Sequence, residues 1–218
     1  MSRKASIEAN GRRHATASGD VHPNFAGATG ANLAGAPPQA YRTGMLVGLA
    51  AIWMFFMALV SASVVRRGSP SGDWQPLAAA PAVWRILWVN TMVLLTSSVA
   101  LTHARSRFRN GDERTFRRWW CATAVLGIVF LAGQWIVWRK LAAAGVYLPT
   151  NPSSSFFYLL TAAHGIHLLG GIAGLLAVGF RSLRRVPLRA AVDAAGIYWH
   201  FMDGVWIVVF LFLLAGRG

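Results

Sequence analysis

Five long apolar stretches set the main constraint on how this chain folds. They cover residues 43–65, 84–103, 119–138, 156–180 and 194–215. An α-helix of about 20 mostly apolar residues crosses the hydrocarbon core of a bilayer, so each stretch is long enough to span a membrane. Only 13% of the residues are charged, against about 25% in soluble domains. The sequence therefore predicts an all-α integral membrane protein with five transmembrane helices.

The basic residues between these stretches predict a topology. The N-terminal tail, the joint after the second stretch and the joint after the fourth contain fifteen Lys and Arg in total, whereas the opposite side contains six. Cytoplasmic loops of membrane proteins are enriched in Lys and Arg. We therefore expect the N-terminus in the cytoplasm and the C-terminus outside.

The same distribution bears on partners and location. A net charge of +14 is compatible with nucleic-acid binding. However, the basic residues are concentrated on one side of the predicted spans, as expected from membrane topology, so nucleic acid is not an expected partner. The 19 Arg and 2 Lys are typical of a GC-rich bacterial gene, and the expected location is the bacterial inner membrane. Residues 1–42, rich in Gly, Ala, Ser, Asn and Pro, are predicted to form a mobile cytoplasmic tail on a transmembrane domain of residues 43–218.

A small set of polar residues lies inside the predicted spans. His164 and His167 are three residues apart in the fourth stretch, and His200 and Asp203 have the same spacing in the fifth, so each pair shares a helix face. The depths of Asp203 and His167 along their helices are comparable. An unpaired carboxylate in hydrocarbon is costly, and we therefore expect Asp203 to contact His167 or His164.

Three roles are open for these groups. They are ligation of a haem or metal, movement of protons or ions, and interhelical hydrogen bonding that fixes packing. The single cysteine excludes a multi-cysteine metal site. Packing is the preferred interpretation, and it extends to the amides Asn90 and Gln134. No catalytic, cofactor-binding or metal-binding residue is assigned.

Four motifs, taken in order, resemble the cytochrome c oxidase subunit III family of haem–copper oxidases. They are an aromatic helix containing WMFF (residues 53–56) and ending in arginine, NTMVLLTSS (90–98), FFYLLTAAHGIH (156–167) and YWHFMDGVW (198–206). The last two are long and specific, and the resemblance covers residues 43–215. It implies the five-helix form of the family, without the first two helices of its longer members.

The sequence also departs from the family pattern. The family often has a glutamate before the first Phe-Phe pair and another after the position of Gln134, whereas this chain has AIWM at 51–54 and Val137 followed by Trp138. Two intramembrane carboxylates of the family are therefore missing.

The resemblance implies a subunit without a redox centre. Such a subunit packs beside subunit I and other oxidase subunits, which hold the haems and copper, binds phospholipid, and supports proton uptake and sustained turnover. Three other hypotheses remain open: a nitric oxide reductase-associated homologue, a free-standing transporter and a haem-binding redox subunit. The absence of an inverted repeat and of Gly/Pro-broken helices weighs against a transporter.

Overall fold

The fold is described from a computed structural model, which covers residues 38–68, 81–146, 152–184 and 189–216. These ranges contain five helices, all long and apolar enough to cross a membrane. They are α1 (Pro38–Arg67), α2 (Pro81–Arg109), α3 (Glu113–Ala143), α4 (Pro152–Leu183) and α5 (Arg189–Ala215). The predicted five-helix membrane architecture is therefore confirmed. The predicted tail lies mostly outside the described residues, and α1 begins inside it, five residues before the apolar stretch.

Local sequence explains where several helices begin and end. Proline is the first residue of α1, α2 and α4, a position where its missing N–H is not needed. α3 begins after Asp112, whose carboxylate accepts the Thr115 backbone N–H at 3.1 Å. Hydrogen bonds from Thr115 hold the pKa of this carboxyl below its usual value. Gly111, with φ of 77°, supplies the left-handed residue of the α2–α3 turn.

Helices α2, α3, α4 and α5 form a closed four-helix ring. α2 packs against α3, α3 against α4, α4 against α5, and α5 returns to α2. The largest fully buried side chains include Trp199 and Trp206 of α5, together with Phe116 and Phe130 of α3. The core of the protein is therefore the interior of this ring.

Helix α1 lies outside the ring. Within the described ranges, no Cα atom of α1 comes within 8 Å of a Cα atom of another helix. Only 11% of its most apolar stretch is buried, against 39–44% in the other helices. Aromatic side chains of α1 contact the other helices: Phe55 and Phe56, the latter 2% exposed, pack against histidines of α4, and Trp53 packs against Phe201 of α5. α1 is thus attached through side chains alone.

Glycines allow close approach inside the ring. A Cβ atom added at Gly127 of α3 would lie 2.7 Å from the Trp199 ring, and one at Gly171 of α4 would lie 3.1 Å from Tyr198. By contrast, Gly174 of α4 faces open space. Small residues let membrane helices approach each other, but only some of the glycines in α4 serve that purpose here.

Candidate functional site

Two tryptophans of α5 organise the polar interior of the ring. Trp199 donates its indole N–H to the Ser97 hydroxyl at 3.1 Å, and Trp206 donates to the Thr91 hydroxyl, also at 3.1 Å. Trp199 and Trp206 are seven residues apart, so they lie on one face of α5, while their acceptors are six apart on α2. Two interhelical hydrogen bonds, almost two turns apart, therefore fix the register of α5 against α2.

His164 lies in an aromatic enclosure. Its ring centroid is 5.1 Å from that of Trp206, 5.8 Å from Phe130 and 6.4 Å from Phe56. The side chain is fully buried, and neither ring nitrogen has a hydrogen-bond partner among the described residues. Four helices, α1, α3, α4 and α5, thus meet around this one imidazole.

His167, one turn away, is bonded within its own helix. Its Nδ1 is 2.8 Å from the Ala163 carbonyl oxygen, so this nitrogen is the protonated donor. The backbone carbonyl of His167 accepts the Tyr198 hydroxyl of α5 at 2.9 Å. The ring also packs edge-on against Phe56, at 5.7 Å between centroids. His167 therefore links α4 to both α1 and α5.

His200 and Asp203 face α2 instead of α4. His200 Nδ1 is 2.6 Å from the Ser98 hydroxyl oxygen. The same hydroxyl is near enough to interact with the Asp203 carboxyl, but the geometry falls short of a hydrogen bond, and both carboxyl oxygens lack partners among the described residues. Asp203 is 4% exposed. Ser98, His200 and Asp203 form a polar cluster between α2 and α5, which we call the α2–α5 cluster.

The expected hydrogen bond between Asp203 and a histidine of α4 is not formed. The Asp203 oxygens and both His164 nitrogens are unpartnered in the described structure, and His167 Nδ1 bonds Ala163. The expectation rested on similar depth along two helices, and depth does not determine which way each side chain points around its helix axis. Here Asp203 lies near Ser98 of α2, and Trp206 packs against His164 while it donates to Thr91 of α2.

The two amides behave differently. Asn90 of α2 donates to the Phe130 carbonyl of α3 at 3.1 Å and lies directly against Gly133, where an added Cβ would overlap the amide group. Gln134 is 5% exposed, and both of its amide atoms lack partners among the described residues. Asn90 thus joins α2 to α3, whereas Gln134 forms no such bond.

No three His, Cys, Asp or Glu side chains converge on a possible metal position within the described ranges. The histidines instead have three different surroundings: an aromatic enclosure, a carbonyl of their own helix, and a hydroxyl of α2. The arrangement links helices, and Asp203, His164 and Gln134 remain buried polar side chains without a hydrogen-bond partner in the described part of the chain.

Sequence reasoning assigned no role to Trp199 and Trp206, although both stand in a quoted motif. The available signal was chemical: an indole N–H in hydrocarbon requires an acceptor, and hydroxyls recur along α2. The sequence patterns also did not point to Arg105 of α2. Its side chain lies against Gly196 of α5 and forms an ion pair with Asp193 at 2.9 Å.

Comparisons with known proteins identify the family. The model of the family "Cytochrome c oxidase subunit III" matches residues 32–215. A cytochrome c oxidase subunit 3 from Synechocystis sp. is 34% identical over 80% of this chain and 75% of its own length. The Thermostichus vulcanus protein of that name is 34% identical over 78% of this chain and 84% of its own. A probable cytochrome c oxidase subunit 3 from Mycobacterium bovis is 31% identical over 79% and 86%. With the five membrane helices, these matches establish that the chain belongs to the cytochrome c oxidase subunit III family.

Proposed function

We propose that this chain is the non-catalytic subunit III of a respiratory haem–copper terminal oxidase in a bacterial inner membrane. It packs against subunit I, binds membrane phospholipid, and supports proton uptake and sustained turnover. The haems and copper reside in partner subunits, and this chain holds no cofactor of its own. Family membership supports the place in an oxidase, and the bacterial relatives support the location.

One observation carries the non-catalytic role. The three histidines of α4 and α5 have different neighbours: His164 lies among Phe56, Phe130 and Trp206, His167 bonds Ala163 of its own helix and packs against Phe56, and His200 bonds Ser98 of α2. A redox or catalytic centre requires side chains that converge on one reacting position. Here the histidines contact different residues, as expected of a subunit with a structural role.

The names of the relatives favour an oxidase over a nitric oxide reductase. The proteins from Synechocystis and Thermostichus are named cytochrome c oxidase subunit 3, and the Mycobacterium protein is named a probable cytochrome c oxidase subunit 3. No contact in the described structure favours a free-standing transporter. Purification of the tagged chain with its partners, followed by assays with oxygen and with nitric oxide, discriminates between the two complexes. We expect oxygen reduction.

Deletion of the gene tests the supporting role. The remaining oxidase should keep its haem content and its initial rate of oxygen reduction, but lose activity faster during continuous turnover than the complemented strain. If the depleted complex retains haem and fold yet shows no initial turnover, the chain takes part directly in catalysis.

Absorbance of the isolated chain tests the absence of a redox centre. We expect no Soret band after purification from haem-replete cells. A Soret band that disappears in His164→Ala, His167→Ala or His200→Ala would identify a haem ligand and contradict the proposal.

A further inference from the structure

A basic cavity lies where the C-terminal end of α2 meets the N-terminal end of α5. Its volume is about 220 Å³, and its walls are formed by Arg105, Phe108, Arg109, Arg189, Val192 and Asp193. Three guanidinium groups and one carboxylate line it, which leaves two positive charges without a counter-charge on the walls. We call it the arginine cavity.

Arg105 is held in place by the fold. Its guanidinium lies over Gly196 of α5, where an added Cβ would come within 2.8 Å of the side chain. Its Nη2 pairs with Asp193 Oδ1 at 2.9 Å, but its Nε is buried and has no partner among the described residues. That Nε is enclosed by the protein and cannot reach a ligand, whereas the rest of the Arg105 side chain, 22% exposed overall, contributes to the cavity wall.

Asp193 is already shared. The carboxylate oxygen that accepts from Arg105 is also 3.5 Å from Arg109, whose side chain is 68% exposed. Thus one carboxylate serves two guanidiniums, and Arg189 adds a third positive group to the walls. The first backbone N–H groups of α5 contribute further partial positive charge at this end of the helix.

A second cavity adjoins the first. Its volume is about 240 Å³, and it shares Arg105 and Arg109 while adding Thr102, Ser106 and Asn110. The Ser106 hydroxyl and the Asn110 amide supply neutral hydrogen-bond donors beside the guanidiniums, whereas Thr102 donates its hydroxyl to the Ser98 carbonyl of its own helix at 3.0 Å. Together, the two cavities offer bonds to a group with several acceptor oxygens.

The position of the arginine cavity indicates the source of that group. Arg109 is the last residue of α2 and Arg189 is the first of α5, so both lie where membrane helices leave the hydrocarbon. Phe108 and Val192 add apolar wall beside the charges. Basic pockets between transmembrane helices at this level bind anionic lipid head groups. We propose that the arginine cavity binds the phosphate of an anionic phospholipid of the surrounding leaflet. This inference rests on the phospholipid binding in the proposed function and deepens it by naming a site and a head-group charge, whereas its test on the purified chain does not require an oxidase complex.

Native mass spectrometry of the full chain tests the site. The chain is purified in detergent with equimolar phosphatidylglycerol and phosphatidylcholine, and bound lipid is counted. Wild type should retain phosphatidylglycerol preferentially. Because each basic residue near an anionic lipid contributes roughly fivefold to binding, the double variant Arg109→Gln/Arg189→Gln should bind phosphatidylglycerol about 25-fold more weakly.

Two comparisons separate the site from general charge attraction. Arg114→Gln/Arg118→Gln removes the same charge from exposed positions of α3 at the same end of the bundle, and it should leave binding within about twofold of wild type. Asp193→Asn should tighten phosphatidylglycerol binding, a gain that a folding defect would not produce. Circular dichroism confirms that each variant keeps its helices.

Three results would overturn the proposal. They are equal retention of the two lipids by wild type, equal losses in the two double variants, and weaker binding in Asp193→Asn. Displacement of phosphatidylglycerol by millimolar inorganic phosphate alone would reassign the cavity to free phosphate and reject the lipid.

Discussion

At the residue scale, the closest packing occurs where glycines of one helix meet the large side chains of another. Gly127 lies against the Trp199 ring, which is fully buried and bonded to Ser97. The ring therefore has little freedom to move away. In a membrane, such contacts carry association because hydrophobic burial does not distinguish lipid from helix.

Gly127→Ala should lower the free energy of unfolding by about 1–3 kcal/mol, because the new methyl group would overlap the Trp199 ring. SDS titration in mixed micelles, followed by circular dichroism, measures this energy. Gly174→Ala is the matched control, since the same change in α4 faces open space and should be neutral. If Gly127→Ala and Gly174→Ala change the free energy of unfolding equally, the Trp199 ring can move away from the new methyl group without loss of stability.

Asn90 and Gly133 form a pair that a double-mutant cycle can resolve. Gly133→Ala should destabilise the protein by about 1–3 kcal/mol, because its methyl group would overlap the Asn90 amide. Asn90→Ala should lose an interhelical hydrogen bond worth about 0.6 kcal/mol. In the Asn90→Ala background, Gly133→Ala should then be tolerated.

The double-mutant cycle needs a control variant, and one outcome would contradict the prediction. Thr96→Ala removes a hydroxyl that bonds only Met92 of its own helix in the described structure, and it should change stability little. Additive losses in Asn90→Ala/Gly133→Ala would mean that the two residues do not compete for the same space.

The polar residues of the site were identifiable from sequence, but their partners were not. His164, Asp203 and Asn90 stand out because ionisable and amide groups are rare in apolar stretches. Their bonds depend on the rotation of each helix about its axis, which residue spacing within a single helix does not determine. Asp203 lies near Ser98 of α2, and its oxygens form no hydrogen bond to a histidine among the described residues. The place of Trp199 between Gly127 and Gly171 depends on three helices together.

At the element scale, the helices extend beyond the apolar stretches that predicted them. α2 continues to Arg109 and α3 begins at Glu113, so most of a strongly basic joint is helical. Hydropathy finds the part of a helix that lies in hydrocarbon, whereas hydrogen bonding continues into the interface until a turn such as that at Gly111 ends it. The number of helices was therefore predictable, and their ends were not.

The closed ring and the peripheral α1 predict different consequences of truncation. A chain beginning after residue 68 keeps every backbone contact between helices that the structure describes, so α2–α5 should remain inserted and cooperative in thermal unfolding. Removal of α5 opens the ring and takes away the bonds of Trp199 and Trp206. That truncation should give a broad, early transition.

Thermal unfolding and protease resistance in detergent compare the two truncations with the full chain. The chain without α1 should lose only a few degrees of melting temperature, because side chains alone attach α1. If loss of α1 is as damaging as loss of α5, then the enclosure of His164 by Phe56 is essential for the ring.

At the scale of the whole molecule, the charge distribution and the helices impose one consistent arrangement. Five helices of the described ranges are long and apolar enough to cross the bilayer, and an odd number of crossings predicts that the start of α1 and the end of α5 lie on opposite sides. At one end of the bundle, α2 ends and α3 and α5 begin. This end contains the arginine cavity and most of the basic residues between the helices. The positive-inside rule predicts that this basic face lies in the cytoplasm.

The last prediction concerns this orientation. Alkaline phosphatase, which is active only outside the cytoplasm, should be active when fused to the C-terminus and inactive when fused after Gly111 in the α2–α3 turn. The physical reason is the excess of fifteen basic residues over six on the side that contains that turn, because translocating a basic segment is opposed during insertion. A fusion after Gly145, at the opposite end of α3, is the matched control and should be active. The reverse pattern at all three positions would place the N-terminus outside, and it would move the arginine cavity to the outer leaflet.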